Sequence, residues 1–372
     1  MIESPGLLLT MIAFLGVIGP LIFIHELGHY LAARWFGVKS EVFSIGFGRE
    51  IAGWTDRRGT RWKIGWLPLG GYVRFAGDMN AVSQPSAAWL ALPAEQRNQT
   101  FPAKPVWQRA IIVAAGPLIN LLAAVLILGG FALFSGDAQG PARVGEVQAG
   151  SAAAAAGLRT GDTVTALDGK PVDRFADMVA IVQPRPGQPI RIDYRRDGVP
   201  SSVTARAGVL EAKTADGKPV RVGLLGVAPP PATLLEAPVV GVRRTGAIIA
   251  LMASTLKQVV VGERSVKELG GPITSARASG QQAAQGLGAW VFLVALVSIN
   301  LGFINLLPVP MLDGGHLMFY AIEAVRRRPV APEAQEWAYR GGLAALAALM
   351  LLVTFNDLDA VGLWGGLAGL ID

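Results

Sequence analysis

The chain has 372 residues, of which 52% are hydrophobic and only 16% charged, and its mean hydropathy is +0.43. Soluble domains carry roughly a quarter charged residues, so this balance excludes a single soluble domain and predicts a membrane protein with a soluble part. The formal charge of +6 comes from basic loops beside apolar runs rather than from a nucleic-acid surface, and the absence of cysteine excludes disulfides and leaves His, Asp and Glu to hold any metal.

In chain order, residues 1–37 form the first segment. The run "GLLLTMIAFLGVIGPLIFI" contains no charge and is about as long as a bilayer crossing needs. "MIESP" has no Lys or Arg and no small-residue cleavage site follows the run, which disfavours a cleaved signal peptide. The reading is a retained helix from about Leu7 to Phe36, with Pro20 tolerated inside it. His25, Glu26 and His29 fall within that helix, where ionisable groups are costly and by default functional. Histidines four apart share one helix face. In the pattern HExxH they present two imidazoles to a zinc ion, with the glutamate beside it as general base. The bland alternative is a polar cluster satisfied by neighbouring helices.

Residues 38–105 carry a dense set of Lys and Arg, including Arg57, Arg58, Arg61 and Lys63. Within them "RGTRWKIGWLPLGGYVRFAG" places β-formers on both sides of a Pro/Gly turn and reads as a hairpin, followed by a loose linker from about Asp78 to Pro105. A second span is expected within 106–134, from Ala110 to Phe134. Residues 135–232 alternate short β-prone runs with Gly, Asp-Gly and Pro turn signals, which suggests a compact β-rich module. In 233–288, the stretch Gly246 to Gly262 contains Lys257 and several Ser and Thr, and reads as an amphipathic surface helix rather than a span. A third span fills 289–325, broken by Pro308 and Pro310. Residues 326–372 hold "RRR", then a fourth span from Gly341 to Phe355 extended by Trp337 to Arg340. The positive-inside rule then puts the two basic loops in the cytoplasm, and both termini and the β-rich module outside.

A catalytic zinc needs a third protein ligand and one open position. The candidate is Asp313 in "NLLPVPMLDGGH", a carboxylate at membrane depth with no Lys or Arg nearby in sequence. An Asp-Gly turn at a helix end is the plain alternative. Beside an HExxH in another span the ligand reading prevails, with His316 as a weaker alternative ligand.

"HELGH", "NLLPVPMLDGG" and the β-rich module between spans resemble the site-2 protease family of intramembrane zinc metalloproteases, in its bacterial regulator of sigma-E protease branch. "GYVRF", "KPVWQRA", "AGPLIN" and "GGPI" extend the likeness over nearly the whole chain. The resemblance implies a Zn2+ cofactor on His25, His29 and Asp313, with Glu26 as base and acid. It implies that Asn305 binds substrate backbone or the oxyanion, that Asn120 lies near substrate, and that Gly70, Gly71, Tyr72 and Val73 belong to a membrane-associated β-hairpin. It also implies a PDZ-like module from about Ala142 to Val227, single here where the best-known branch members carry two in tandem.

The expected fold is thus a polytopic α-helical membrane protein of about four transmembrane helices, with a cytoplasmic β-hairpin and an inserted extracytoplasmic PDZ-like α+β domain. The expected activity is hydrolysis within transmembrane segments of single-span proteins, such as anti-sigma factors or remnant signal peptides, in a bacterial inner membrane. Partners are those segments and the lipid bilayer, not nucleic acid, and the PDZ-like domain binds or sterically filters substrates. Two other classes compete. A scaffold with a vestigial metal site has no need of an intact Glu26, and a metal-ion transporter predicts acidic residues in several spans, where only Glu26 and Asp313 are evident.

Overall fold

The computed structural model describes residues 6–77, 89, 91–213, 219–265 and 270–360. Much of the expected linker after Asp78 and the tail beyond residue 360 lie outside the described residues. In chain order the elements are α1 (Leu7–Trp35), β1 (Ser40–Thr55), β2 (Arg61–Phe75), α2 (Ala94–Arg97) and α3 (Val106–Ser135). There follow β3 (Glu146–Val147), α4 (Ala152–Ala155), β4 (Thr163–Leu167), β5 (Lys170–Pro171), α5 (Phe175–Val182), β6 (Pro189–Arg196) and β7 (Val199–Arg206). The chain continues through β8 (Gly208–Lys213), β9 (Pro219–Leu224), β10 (Val227–Ala228), α6 (Ala237–Val261), α7 (Pro272–Gln285), α8 (Leu287–Leu306), α9 (Asp313–Arg326) and α10 (Pro332–Ala360).

Among the described residues five helices, α1, α3, α6, α8 and α10, are long and apolar enough to cross a membrane by length and composition. The four expected spans correspond to four of them. The fifth, α6, is one continuous helix that starts nine residues before the stretch read from sequence, at Ala237 instead of Gly246. Its most apolar stretch has a mean hydropathy of 1.4 against 2.6 for α1 and α3, the lowest of the five, and Arg243, Arg244 and Lys257 interrupt the helix. The third expected span is two helices. The "PVPM" turn separates α8 from α9, since Pro308 and Pro310 cannot donate to a helix ladder.

Residues 1–125 and 245–372 contain one compact unit, and 126–244 another. In the first, helices approach one another through glycine, as membrane helices do when no apolar driving force separates them from lipid. A Cβ on Gly28 of α1 would lie 2.5 Å from the Ala115 carbonyl oxygen of α3, and one on Gly302 of α8 would lie 3.0 Å from the Pro117 carbonyl oxygen. The start of α7 is capped from a distance. Asp357 of α10 accepts hydrogen bonds from the N–H groups of Gly271, Ile273 and Thr274 and from the Thr274 hydroxyl, at 2.6 to 3.1 Å. These satisfy donors that a helix start leaves without intrahelical partners.

The hairpin departs from the sequence reading. The turn is not at Pro68–Gly71 but at Asp56–Thr60, where Asp56 Oδ1 accepts from the N–H groups of Arg58 and Thr60 and Gly59 supplies φ +85°. β2 pairs with β1, a strand not anticipated, and Val42 to Ile45 find partners on both sides, Arg61 to Ile64 and Gly71 to Arg74. Gly46 and Gly48, at φ +85° and +81°, permit the irregular register that allows this doubling.

The second unit folds around α5 and a four-stranded sheet of order β5-β4-β6-β7. α5 buries Phe175, Met178 and Val182, spaced three and four apart, while β6 buries every second residue, Ile190, Ile192 and Tyr194. Both sets join one core with Val144, Leu158, Val164 and Leu167. One ion pair sits at its margin. Asp162 is 1% exposed and takes both Arg196 Nε and Nη2 at 2.8 Å, together with the Arg159 N–H at 2.8 Å.

Burial pushes the Asp162 carboxyl up, but the Arg196 guanidinium and the Arg159 amide outweigh it and hold the group below the usual carboxylate range. Removing the carboxylate strips the Arg159 amide and the Arg196 guanidinium of their shared partner. Asp162→Ala is therefore expected to raise proteolytic nicking of residues 142–228 at pH 7. Because the folded value is depressed, the wild-type advantage is present above about pH 4 and shrinks as pH falls through the folded value. The two proteins should converge in acid, as read by pulse proteolysis across pH.

Candidate metal centre

His25 and His29 lie one turn apart on α1, and Asp313 is the first residue of α9. The structure brings the three together. His25 Nε2 and His29 Nε2 are 3.3 Å apart, Asp313 Oδ2 is 3.2 Å from His25 Nε2, and Asp313 Oδ1 is 3.6 Å from His29 Nε2. Two ligand atoms at 2.0–2.1 Å from a tetrahedral zinc stand about 3.3 Å from each other, so the triangle has the dimensions of one face of such a site. Among the described residues this is the group of His, Asp and Glu side chains whose ligand atoms converge within 4.8 Å.

The outward ring nitrogens support the same assignment. His29 Nδ1 donates to the Ile112 carbonyl of α3 at 2.9 Å, which leaves Nε2 unprotonated and facing the triangle. The His29 ring lies directly against Gly116, where a Cβ would be 2.2 Å from Nε2. His25 Nδ1 is 3.2 Å from the Asn120 side-chain amide, whose Oδ1 is buried without a hydrogen-bond partner. A His25 that ligates through Nε2 carries its proton on Nδ1, and turning the Asn120 amide gives that proton an acceptor. Asn120 is itself fully buried, and its carbonyl accepts from Ser298 Oγ of α8 at 2.7 Å. Its side chain meets His25 rather than the cavity.

Asp313 reaches the site through a tight fold-back. Cβ atoms on Gly314 and Gly315 would lie 2.2 Å from the Leu307 carbonyl oxygen and 2.4 Å from the Val309 carbonyl oxygen, so only glycine lets α9 start so close to the end of α8. Met311 stands in the turn at φ +84°, a conformation that costs a non-glycine residue about 1–3 kcal/mol and persists where the surroundings enforce it.

The triangle opens on a cavity of about 560 Å³. Glu26, Asn305, His316 and the strand residues Gly70, Gly71, Tyr72 and Val73 also line it. Glu26 is 7% exposed, and Gly71 crosses directly over it, with a Cβ there placed 2.8 Å from Glu26 Cγ. His316, one turn after Asp313, stays outside the converging ligand set and meets Tyr339 of α10 instead. The Ile112 carbonyl, Gly116 and Tyr339 carry no mark in the sequence beyond the small-residue run "AAGPLIN" and a lone tyrosine at the head of an apolar helix.

The sequence matches Peptidase family M50 over residues 13–349. It is 40% identical to "Putative zinc metalloprotease Atu1380" of Agrobacterium fabrum, across 94% of this chain and 96% of that protein. It is 42% identical to "Putative zinc metalloprotease mll0638" of Mesorhizobium japonicum, across 94% and 98%. It is 36% identical to "Metalloprotease MmpA" of Caulobacter vibrioides, across 98% and 99%. Among solved structures, the PDZ domain of an SdrC-like protein from Listeria monocytogenes matches 24% of this chain and 85% of its own, at 20% identity and a TM-score of 0.19.

Gly116→Ala should displace the His29 ring and abolish stoichiometric zinc, whereas Gly130→Ala, with nothing within 4 Å of its added Cβ, should leave zinc content unchanged. Asn120→Leu removes the group beside His25 Nδ1 and should weaken zinc retention about 10- to 100-fold in chelator competition.

Proposed function

This chain belongs to Peptidase family M50, the intramembrane zinc metalloproteases, and on that premise we propose that it hydrolyses peptide bonds inside the transmembrane segments of single-span membrane proteins. One juxtaposition carries the reading. A candidate metal triangle, a carboxylate and a strand edge share a single cavity between apolar helices.

His25, His29 and Asp313 would hold the zinc. An ion held by three protein ligands with one open position supplies Lewis acidity, acidifying water and polarising a carbonyl. Glu26 takes the proton of the attacking water and returns it to the leaving amine. Asn305 donates from its side-chain amide to the substrate backbone or the oxyanion. The substrate must first give up helical hydrogen bonds, which are expensive to leave unmade in lipid. Residues 71–74 of β2 pair with β1 on one side only among the described residues, and their other edge offers replacement partners to an unwound substrate strand.

The cut falls in the inner half of the substrate span. At 1.5 Å per residue His25 lies about 27 Å along α1 from Leu7, toward the end that leads into the basic loop. That loop faces the cytoplasm of a bacterial inner membrane, and the PDZ-like module lies outside, where it admits substrates already trimmed by another protease. Remnant signal peptides and anti-sigma factors have the required single span.

Purified in detergent and zinc-loaded, wild type should cut a single-span model substrate within the span. Glu26→Gln should keep its zinc and lose at least about 1,000-fold in rate. If both proteins hold zinc and neither cuts any span offered, the proteolytic reading fails. Deleting residues 142–227 should release cleavage of untrimmed substrate, and unchanged selectivity would remove the filter from this account.

A further inference from the structure

His316 is the one histidine of the three that the metal triangle does not use. It nonetheless lines the same cavity as Glu26 and Asp313, and stands three residues after Asp313, on the same face of α9 one turn on. Tyr339 of α10 holds it, with Oη 2.8 Å from His316 Nδ1 and 3.1 Å from Nε2.

Tyr339 is itself fixed. It is 5% exposed and packs on Phe319 with ring centroids 5.9 Å apart. One turn further along α10, Gly342 lies so close to Pro310 that a Cβ would sit 2.5 Å from the Pro310 carbonyl oxygen. α10 is thereby seated on the same turn that delivers Asp313.

We propose that His316 is a catalytic residue of this cavity, donating a ring N–H to the oxyanion of the scissile carbonyl, and that Tyr339 is its positioning residue. The proposal rests on the proteolytic reading of the cavity. The chemistry follows from the tautomer. Oη lies within hydrogen-bond distance of both ring nitrogens, and a phenol that donates to one of them leaves the imidazole proton on the other, so the ring in the cavity wall keeps an N–H to donate. Glu26 can accept and return a proton but, as a carboxylate, offers no standing donor, so the negative charge that develops on the carbonyl oxygen falls to the donors of the cavity wall, where His316 adds a second one to the Asn305 amide. A preorganised donor of this kind strengthens its bond in the transition state and contributes little to ground-state binding.

The test uses the full chain, zinc-loaded in detergent, with His316→Ala, His316→Gln, Tyr339→Phe and the His316→Ala/Tyr339→Phe double variant. Zinc per chain, the kcat and KM for a single-span substrate, and the affinity for a phosphonamidate peptide that mimics the tetrahedral state are measured for each. His316→Ala should keep one zinc, lose about 100-fold or more in kcat and change KM little. His316→Gln, which retains an N–H donor, should recover part of the loss. Tyr339→Phe should lose about tenfold, and the double variant should be no slower than His316→Ala alone, because the tyrosine acts only through the histidine. Phosphonamidate affinity should fall with kcat while affinity for the uncleaved peptide holds.

Loss of zinc in His316→Ala would make the residue a ligand and overturn the proposal. So would wild-type kcat in that variant, or a loss confined to KM. A wild type that binds zinc and cuts nothing sinks the proteolytic reading and this proposal together. A wild type that cuts, beside a His316→Ala that cuts equally fast, sinks the proposal alone.

Discussion

The hydrogen bond from His29 Nδ1 to the Ile112 carbonyl requires two helices to approach to backbone distance, and much of the membrane unit follows from that requirement. An imidazole has two nitrogens, and one can face a metal unprotonated only if the other keeps its proton engaged. In an apolar bundle no water stands ready to engage it, so the partner must be built into the neighbouring helix. A side chain at position 28 or 116 would hold α1 and α3 apart, and both positions are glycine. The same close approach sets Asn120 against His25 and lets Ser298 of α8 reach the Asn120 carbonyl. One crossing thus orients both imidazoles and recruits the third helix.

The carboxylate corner of the triangle is built by different means. α8 and α9 do not cross there; the chain folds back on itself at a proline-rich turn, and Gly314 and Gly315 permit the fold because carbonyl oxygens of residues 307 and 309 occupy the space their side chains would need. Met311 holds a backbone conformation that costs energy in isolation. The packing that offsets that cost is visible in α10, where Gly342 closes on Pro310 and Tyr339 closes on His316. A turn that delivers a candidate metal ligand has to be rigid, since a displacement of about 1 Å at a reacting centre costs heavily in rate.

What the sequence disclosed divides by range. HExxH was legible because a spacing of four on a helix is a local fact, and Asp313 was legible because a carboxylate inside an apolar stretch is conspicuous. The β-rich character of the second unit was legible from its turn signals, whereas the helix α5 at its core was not told apart from the surrounding strands. β1 was not. Its residues 40–45 pair with two separate parts of β2 through shifted register, and no local pattern in "SEVFSIGFG" encodes which partner it takes. α6 remained ambiguous because its length and its basic residues point to opposite conclusions. Asn120 carried a family likeness to a residue near substrate, while its contact with His25 depends on a crossing that only three dimensions disclose. Tyr339 carried no signal of its own in the sequence, and the hydrogen bond that distinguishes it joins two helices.

The strand edge and the metal triangle pose a common problem for a protease in lipid. A transmembrane helix exposes no carbonyl to attack until some of its hydrogen bonds are broken, and each broken bond must be answered at once. An edge strand answers them one residue at a time, but only if it runs beside the point of attack. Gly71 secures that adjacency. A Cβ there would lie 2.7 to 2.8 Å from Glu26 Cγ and Ile22 Cγ2 on one helix and from the Ser44 carbonyl oxygen on the partner strand, so the sheet is seated on α1 at the turn that bears Glu26. A side chain at that position would lift the edge away from the carboxylate and part the two operations. On the proposed function, the glycine in "GGYVRF" and the glutamate in "HELGH" therefore belong to one constraint: the place where substrate backbone is re-paired has to be the place where it is cut.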